Sequence, residues 1–119
     1  MAKILIVDDE KQICEEFSDL LQEEGHEVET ALSGAEAIQK VENSSFDLIF
    51  LDVLMPRMEG REIFENIKKI RNVPVVIMSG YIPPNKEKEV LASGAVACLK
   101  KPLDFNQIRN LLASLNRKK

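Results

Sequence analysis

Short apolar runs alternate along the chain with longer amphipathic ones, and turn or capping residues mark each change. Lys3 to Val7 predicts a buried strand. Lys11 to about Glu24 predicts a helix with Ile13, Phe17, Leu20 and Leu21 on one face, stopped by Gly25. Glu27 to Ala31 alternates as a second strand. Ser33, with Glu36 three residues later, predicts the start of a second helix that buries Ala37, Ile38 and Val41. A third strand is expected over Asp47 to Leu51, and a third helix over Gly60 to about Ile70 with Ile63, Phe64, Ile67 and Ile70 inward. Val73 to Met78 predicts a fourth strand with Pro74 at its entry. Asn85 to Ser93 predicts a short helix ended by Gly94, and Val96 to Leu99 a fifth strand. Asp104 then caps a last helix running to Leu115, with Ile108, Leu111, Leu112 and Leu115 inward.

Five strand-then-helix units predict an α/β fold with a parallel sheet. Strands this apolar must be covered on both faces, so helices are expected on each side, in a doubly wound three-layer arrangement. The length, 119 residues, suits one domain over 1–119. With 45% hydrophobic and 30% charged residues, and no apolar run near the ~18 residues that span a bilayer, the chain is expected to be soluble, with no membrane partner. The apolar stretch at the N-terminus is stopped by acids, unlike a signal peptide. A net charge of −4 argues against direct binding to nucleic acid, and Arg117-Lys118-Lys119 reads as a helix terminus complementing its dipole. Cys14 and Cys98 stand apart within apolar patterns, which favours reduced thiols and a cytoplasmic location.

In a doubly wound sheet, polar ligands collect beyond the carboxyl ends of the strands. Asp8-Asp9-Glu10 follows the first strand, Asp52 the third, Ser79-Gly80 the fourth and Lys100-Lys101-Pro102 the fifth. Each alone reads more readily as a helix cap or a solvated charge than as a site residue. Together, Asp8, Asp9 and Asp52 would repel one another and call for a cation. Oxygen-only donors on an open edge favour Mg²⁺ over calcium or a soft metal, and His26, expected at the surface, stands alone as an imidazole. Aspartate can accept a phosphoryl group, whose oxygens a metal, the Ser79 hydroxyl and the Lys101 ammonium could stabilise.

The runs Ile4-Leu5-Ile6-Val7-Asp8-Asp9-Glu10 and Asp52-Val53-Leu54-Met55-Pro56-Arg57-Met58-Glu59-Gly60, with Ser79-Gly80 and Lys101-Pro102, resemble the receiver domains of two-component response regulators. The resemblance covers nearly the whole chain. It implies a flavodoxin-like sheet in the order 2-1-3-4-5 and a phosphoryl group taken from a sensor histidine kinase, a phosphotransfer protein or a small acyl phosphate. It also implies that Asp8 and Asp9 hold Mg²⁺ with Asp52 and the Leu54 backbone carbonyl. Asp52 would be the phosphoacceptor, Ser79 the switch hydroxyl and Lys101 the phosphoryl partner. The expected product is a switch that turns over only its own phosphoryl group, a monomer or weak homodimer controlling an output protein or a fused output domain. The chain ends with its fifth helix, so it is expected to be a free-standing receiver or part of a longer protein.

The chain departs from the family at three points. Gly80 stands where alanine usually follows the switch hydroxyl, and should give the loop freedom. Cys98 stands three residues before the lysine, where an aromatic ring usually reports activation; Tyr81 is expected to take over that readout. Ile82-Pro83-Pro84 should stiffen the entry to the fourth helix. Two other readings compete. An aspartyl-phosphate phosphatase would need a second acid where Leu54 stands, and a cap domain. A degenerate receiver, serving only as an interaction module, is opposed by the intact Asp8, Asp9, Asp52, Ser79 and Lys101.

Overall fold

The computed structural model describes residues 2–52, 60–80, 84–101 and 103–117. Strands and helices alternate strictly: β1 (Lys3–Val7), α1 (Lys11–Glu23), β2 (Glu27–Ala31), α2 (Gly34–Asn43), β3 (Leu48–Asp52), α3 (Gly60–Ile70), β4 (Val75–Ser79), α4 (Pro84–Ala92), β5 (Ala97–Lys100) and α5 (Phe105–Arg117). All pairings are parallel, in the order β2-β1-β3-β4-β5. This is the doubly wound sheet that the resemblance implies. Among the described residues no helix is long and apolar enough to cross a membrane.

Alternation along the strands divides the core into two layers. Ile4 and Ile6 of β1, Leu48 and Phe50 of β3, and Val76 and Met78 of β4 pack with Cys14, Phe17 and Leu21 of α1 and with Ile108 and Leu112 of α5. Phe17 meets Phe50 edge-on, with ring centroids 4.8 Å apart. The intervening residues, Leu5, Val7, Ile49, Leu51, Val75 and Ile77, pack with Ala37 and Val41 of α2 and with Ile63, Phe64 and Ile67 of α3. Each fully buried Val, Leu, Ile, Phe or Met side chain among these contributes about 1.5–3 kcal/mol.

Local signals fix most boundaries. Ser33 Oγ accepts the Glu36 N–H at 3.1 Å, and Glu36 Oε1 accepts the Leu32 N–H at 2.7 Å. Asp104 Oδ1 accepts the N–H groups of Asn106 and Gln107, as expected of a cap. Gly25, with φ 93°, ends α1, and Gly94, with φ 112°, follows α4.

Five expectations are corrected, the first being the fifth strand, expected over Val96 to Leu99 and found one residue later at Ala97–Lys100. In α1 the buried stripe is Cys14, Phe17 and Leu21, and Leu20 is exposed. The third strand runs one residue later than predicted, because Asp47 turns back on Lys3: its N–H donates to the Lys3 carbonyl and its carboxylate accepts the Lys3 N–H. Asp52 therefore ends β3 instead of following it. The fourth strand begins after Pro74, whose carbonyl still accepts the Ile49 N–H, and extends to Ser79. His26 is half-buried, and its Nδ1 accepts the Ala2 N–H at 3.1 Å.

Candidate functional site

The side-chain parity that builds the α1/α5 layer also builds the site. Ile6 and then Asp8, Phe50 and then Asp52, and Leu99 and then Lys101 are each two residues apart, so the three polar groups continue the same layer at the carboxyl ends of β1, β3 and β5, Asp52 as the last residue of its strand. Lys101 is drawn in by its own N–H, which donates to the Ser79 carbonyl at 2.8 Å. Its ammonium donates to Asp8 Oδ2 at 2.7 Å and to Asp52 Oδ2 at 2.9 Å, with Glu10 Oε1 at 3.9 Å. Asp8 and Ser79 are 0% exposed and Asp52 4%, so the charges meet largely out of water. Burial opposes the Lys101 charge, but the hydrogen bonds to Asp8 and Asp52, helped by both negative charges, outweigh it and raise its pKa above the ordinary lysine value.

Asp8 is held at every polar atom. Its N–H donates to the Ala31 carbonyl and its carbonyl accepts the Cys14 thiol at 3.4 Å. Its Oδ1 accepts the Glu10 N–H at 3.0 Å, and its Oδ2 faces Lys101. Burial, with the Asp8 charge, pushes the Cys14 thiol up to about 11, so it is a neutral donor.

Among the described residues, the acids whose oxygens lie within 4.8 Å of one another are Asp8, Asp9 and Glu10. The expected trio was Asp8, Asp9 and Asp52. Asp52 is tied to Asp8 through Lys101, and Glu10, to which sequence reasoning gave no role, joins the acidic turn. Three carboxylates, those of Asp8, Glu10 and Asp52, thus lie within 4 Å of one ammonium, and Asp9 adds a fourth negative charge beside Asp8 and Glu10. The surplus negative charge and the hard oxygen donors fit a divalent cation such as Mg²⁺ and suit neither zinc nor copper.

Ser79 ends β4 beside Lys100 in register, and Gly80 follows it, exposed. A Cβ added at Gly80 would meet nothing within 4 Å, and the backbone there is not left-handed. The conformation therefore does not demand the glycine. Leu54 and Tyr81, the expected carbonyl ligand and readout ring, lie outside the described residues, as do Ile82 and Pro83. Cys98 is half-buried against the α2/α3 layer and lines a cavity of about 300 Å³ with Glu87, Lys100 and Gln107. Burial, then the charge of Glu87, raises its pKa. This cavity is not where the acids meet. Cys14 also escaped sequence reasoning as a site residue; its only signal was a thiol in the first turn of the helix after the acids.

The sequence profile of the response regulator receiver domain matches residues 4–113. The chain belongs to this family of two-component receiver domains. It is 43% identical over 115 residues to the transcriptional regulatory protein CpxR homolog of Haemophilus influenzae, covering 97% of this chain and 49% of that protein. The chain thus spans about half the length of that relative. Among solved structures, the chemotaxis protein CheY4 of Vibrio cholerae superposes with a TM-score of 0.88 at 36% identity, covering 97% of this receiver and 98% of that chain. The response regulator TrrA of Thermotoga maritima, in complex with Mg²⁺ and BeF, superposes with a TM-score of 0.84 at 31% identity, covering 97% and 99%.

Proposed function

We propose that this receiver domain is a magnesium-dependent phosphoryl switch whose acceptor is Asp52. The observation that carries this reading is the buried Asp52 carboxylate, held through Lys101 to Asp8 at the carboxyl edge of the sheet. A carboxylate oxygen of Asp52 attacks phosphorus, and the O–P bond forms as the P–N bond of a phosphohistidine breaks. The imidazole leaves with the bonding pair and recovers a proton from solvent. Lys101 moves its donors from carboxylate to phosphoryl oxygen, and the Ser79 hydroxyl donates to another. When bound, magnesium would supply charge neutralisation for the phosphoryl group, held by Asp8, Asp9 and Asp52 with Glu10 at the rim.

The phosphoryl donor is a sensor histidine kinase or a phosphotransfer protein in the cytoplasm, and the receiver of the signal is an output protein or a linked output domain. The complex of TrrA with Mg²⁺ and BeF, a phosphoryl mimic, supports this by likeness. On this reading the domain turns over only its own phosphoryl group. Intact mass after incubation with acetyl phosphate and Mg²⁺ tests it: the parent should gain one phosphoryl group and Asp52→Asn none. Stoichiometric uptake by Asp52→Asn would overturn the assignment.

A further inference from the structure

The turn carrying the acids leaves β1 at Val7 and enters α1 at Lys11, and Glu10, at the N-cap, makes no side-chain capping bond. A side-chain tie to the turn comes from one turn inside the helix. The Cys14 N–H donates to the Glu10 carbonyl at 3.1 Å, and the Cys14 thiol donates to the Asp8 carbonyl at 3.4 Å. The first is the ordinary bond that opens α1; the second depends on the side chain and ties the helix to the turn on the other side of Asp9. Cys14 is 1% exposed and packs in the α1/α5 layer, the layer that Asp8, Asp52 and Lys101 continue, so its side chain has little freedom to turn away.

We propose that Cys14 is a positioning residue for the cation site, its thiol fixing the Asp8 carbonyl and with it the direction in which Asp8, Asp9 and Glu10 present their carboxylates. The proposal rests on reading the acidic turn as a cation site. Rotation of the Asp8–Asp9 peptide would swing the Asp9 carboxylate and break the Glu10 N–H bond to Asp8 Oδ1, which closes the turn. A thiol suits the place because it packs as a small apolar group yet still satisfies a buried carbonyl. Alanine would keep the packing class and lose the donor; serine would keep a donor.

The experiment compares the parent with Cys14→Ala, Cys14→Ser and Leu112→Ala, the last loosening the same core layer away from the turn. Binding of Mg²⁺ is followed by titration, and exchange of the Glu10 amide is followed by NMR without metal. Cys14→Ala should weaken Mg²⁺ binding about threefold to tenfold, the range set by one lost hydrogen bond. Cys14→Ser should return to within about twofold of the parent, and Leu112→Ala should melt lower yet bind as the parent does. Glu10 exchange should quicken in Cys14→Ala and not in Leu112→Ala. Unchanged binding in Cys14→Ala, or equal weakening in Leu112→Ala, would overturn the positioning role. A parent that binds no Mg²⁺ would defeat the cation reading, and Glu10 exchange would then decide the tie: quickened by Cys14→Ala alone it stands, unchanged it falls.

Discussion

Replacing Lys101 with methionine keeps the length of the side chain and removes the charge that joins Asp8 to Asp52. Two hydrogen bonds are lost, at 2.7 and 2.9 Å, each between charged partners. Bonds of that kind contribute about 1.5–3 kcal/mol apiece, and stranding a buried carboxylate costs about 3–5 kcal/mol. The Lys101 side chain is 16% exposed, so solvent screening weakens the pair only slightly. Methionine packing and water entering the site offset part of the loss, which leaves about 3 kcal/mol, or a fall in Tm of about 10–15 °C for a domain of this size. The assay is thermal melting with and without Mg²⁺. Without metal the variant should melt far below the parent; with metal it should recover more than the parent gains, because a cation bound only by the native state stabilises most where the carboxylates lack their internal ammonium. The pH dependence follows from the raised pKa of Lys101. A base whose folded pKa exceeds its unfolded value contributes fully below the unfolded value, about 10.4, and loses that contribution as pH rises through the folded one. The gap between parent and variant should therefore hold through neutral pH and close only in strongly alkaline solution. A variant that melts with the parent without metal, or gains no more from Mg²⁺, would refute the reasoning.

Two further outcomes are expected. Gly80→Ala should fold and melt at or above the parent, by about 0.4–1 kcal/mol, since a Cβ there meets open space and the backbone is not left-handed; a loss in Tm would show that the glycine is needed in this state. His26 accepts the Ala2 N–H as a neutral ring, and burial lowers its pKa, helped by the N-terminal amine. Its stabilising contribution is complete above about pH 6.5 and declines as pH falls through the lower folded value, so His26→Asn should flatten the fall in Tm between neutral and mildly acid pH. A parallel fall in parent and variant would place the effect elsewhere.

The strands were legible because both faces of the sheet are covered, which makes Ile4-Leu5-Ile6-Val7 and Leu48-Ile49-Phe50-Leu51 unbroken apolar runs. The helix spans were legible too, but not every inward face. The expected stripe in α1 held both Leu20 and Leu21, whereas packing with Cys14 and Phe17 against the sheet buries Leu21 and leaves Leu20 exposed. The edges of β3 and β4 shifted for chemical reasons that hydropathy does not carry: Asp47 spends its polar groups on Lys3, and Pro74 has no N–H for the ladder.

The candidate residues could be named from the sequence because each stands where a strand ends, but their partners could not. The bond from Lys101 to Asp8 spans 93 residues of chain, and nothing local distinguishes it from a bond to Asp52 alone. Parity supplies what spacing lacks. In this sheet, Asp8, Asp52 and Lys101 all continue the α1/α5 side, whereas Ser79 follows Val75 and Ile77 on the parity of the opposite layer. The ammonium and two carboxylates therefore form one buried cluster on one side, and the hydroxyl approaches from the other. On the proposed function, Lys101 would meet a phosphoryl group on Asp52 from one layer and Ser79 from the other. Any pull on Ser79 acts on the main chain of β4, where its carbonyl also holds the Lys101 N–H, so the two layers are mechanically joined at this residue.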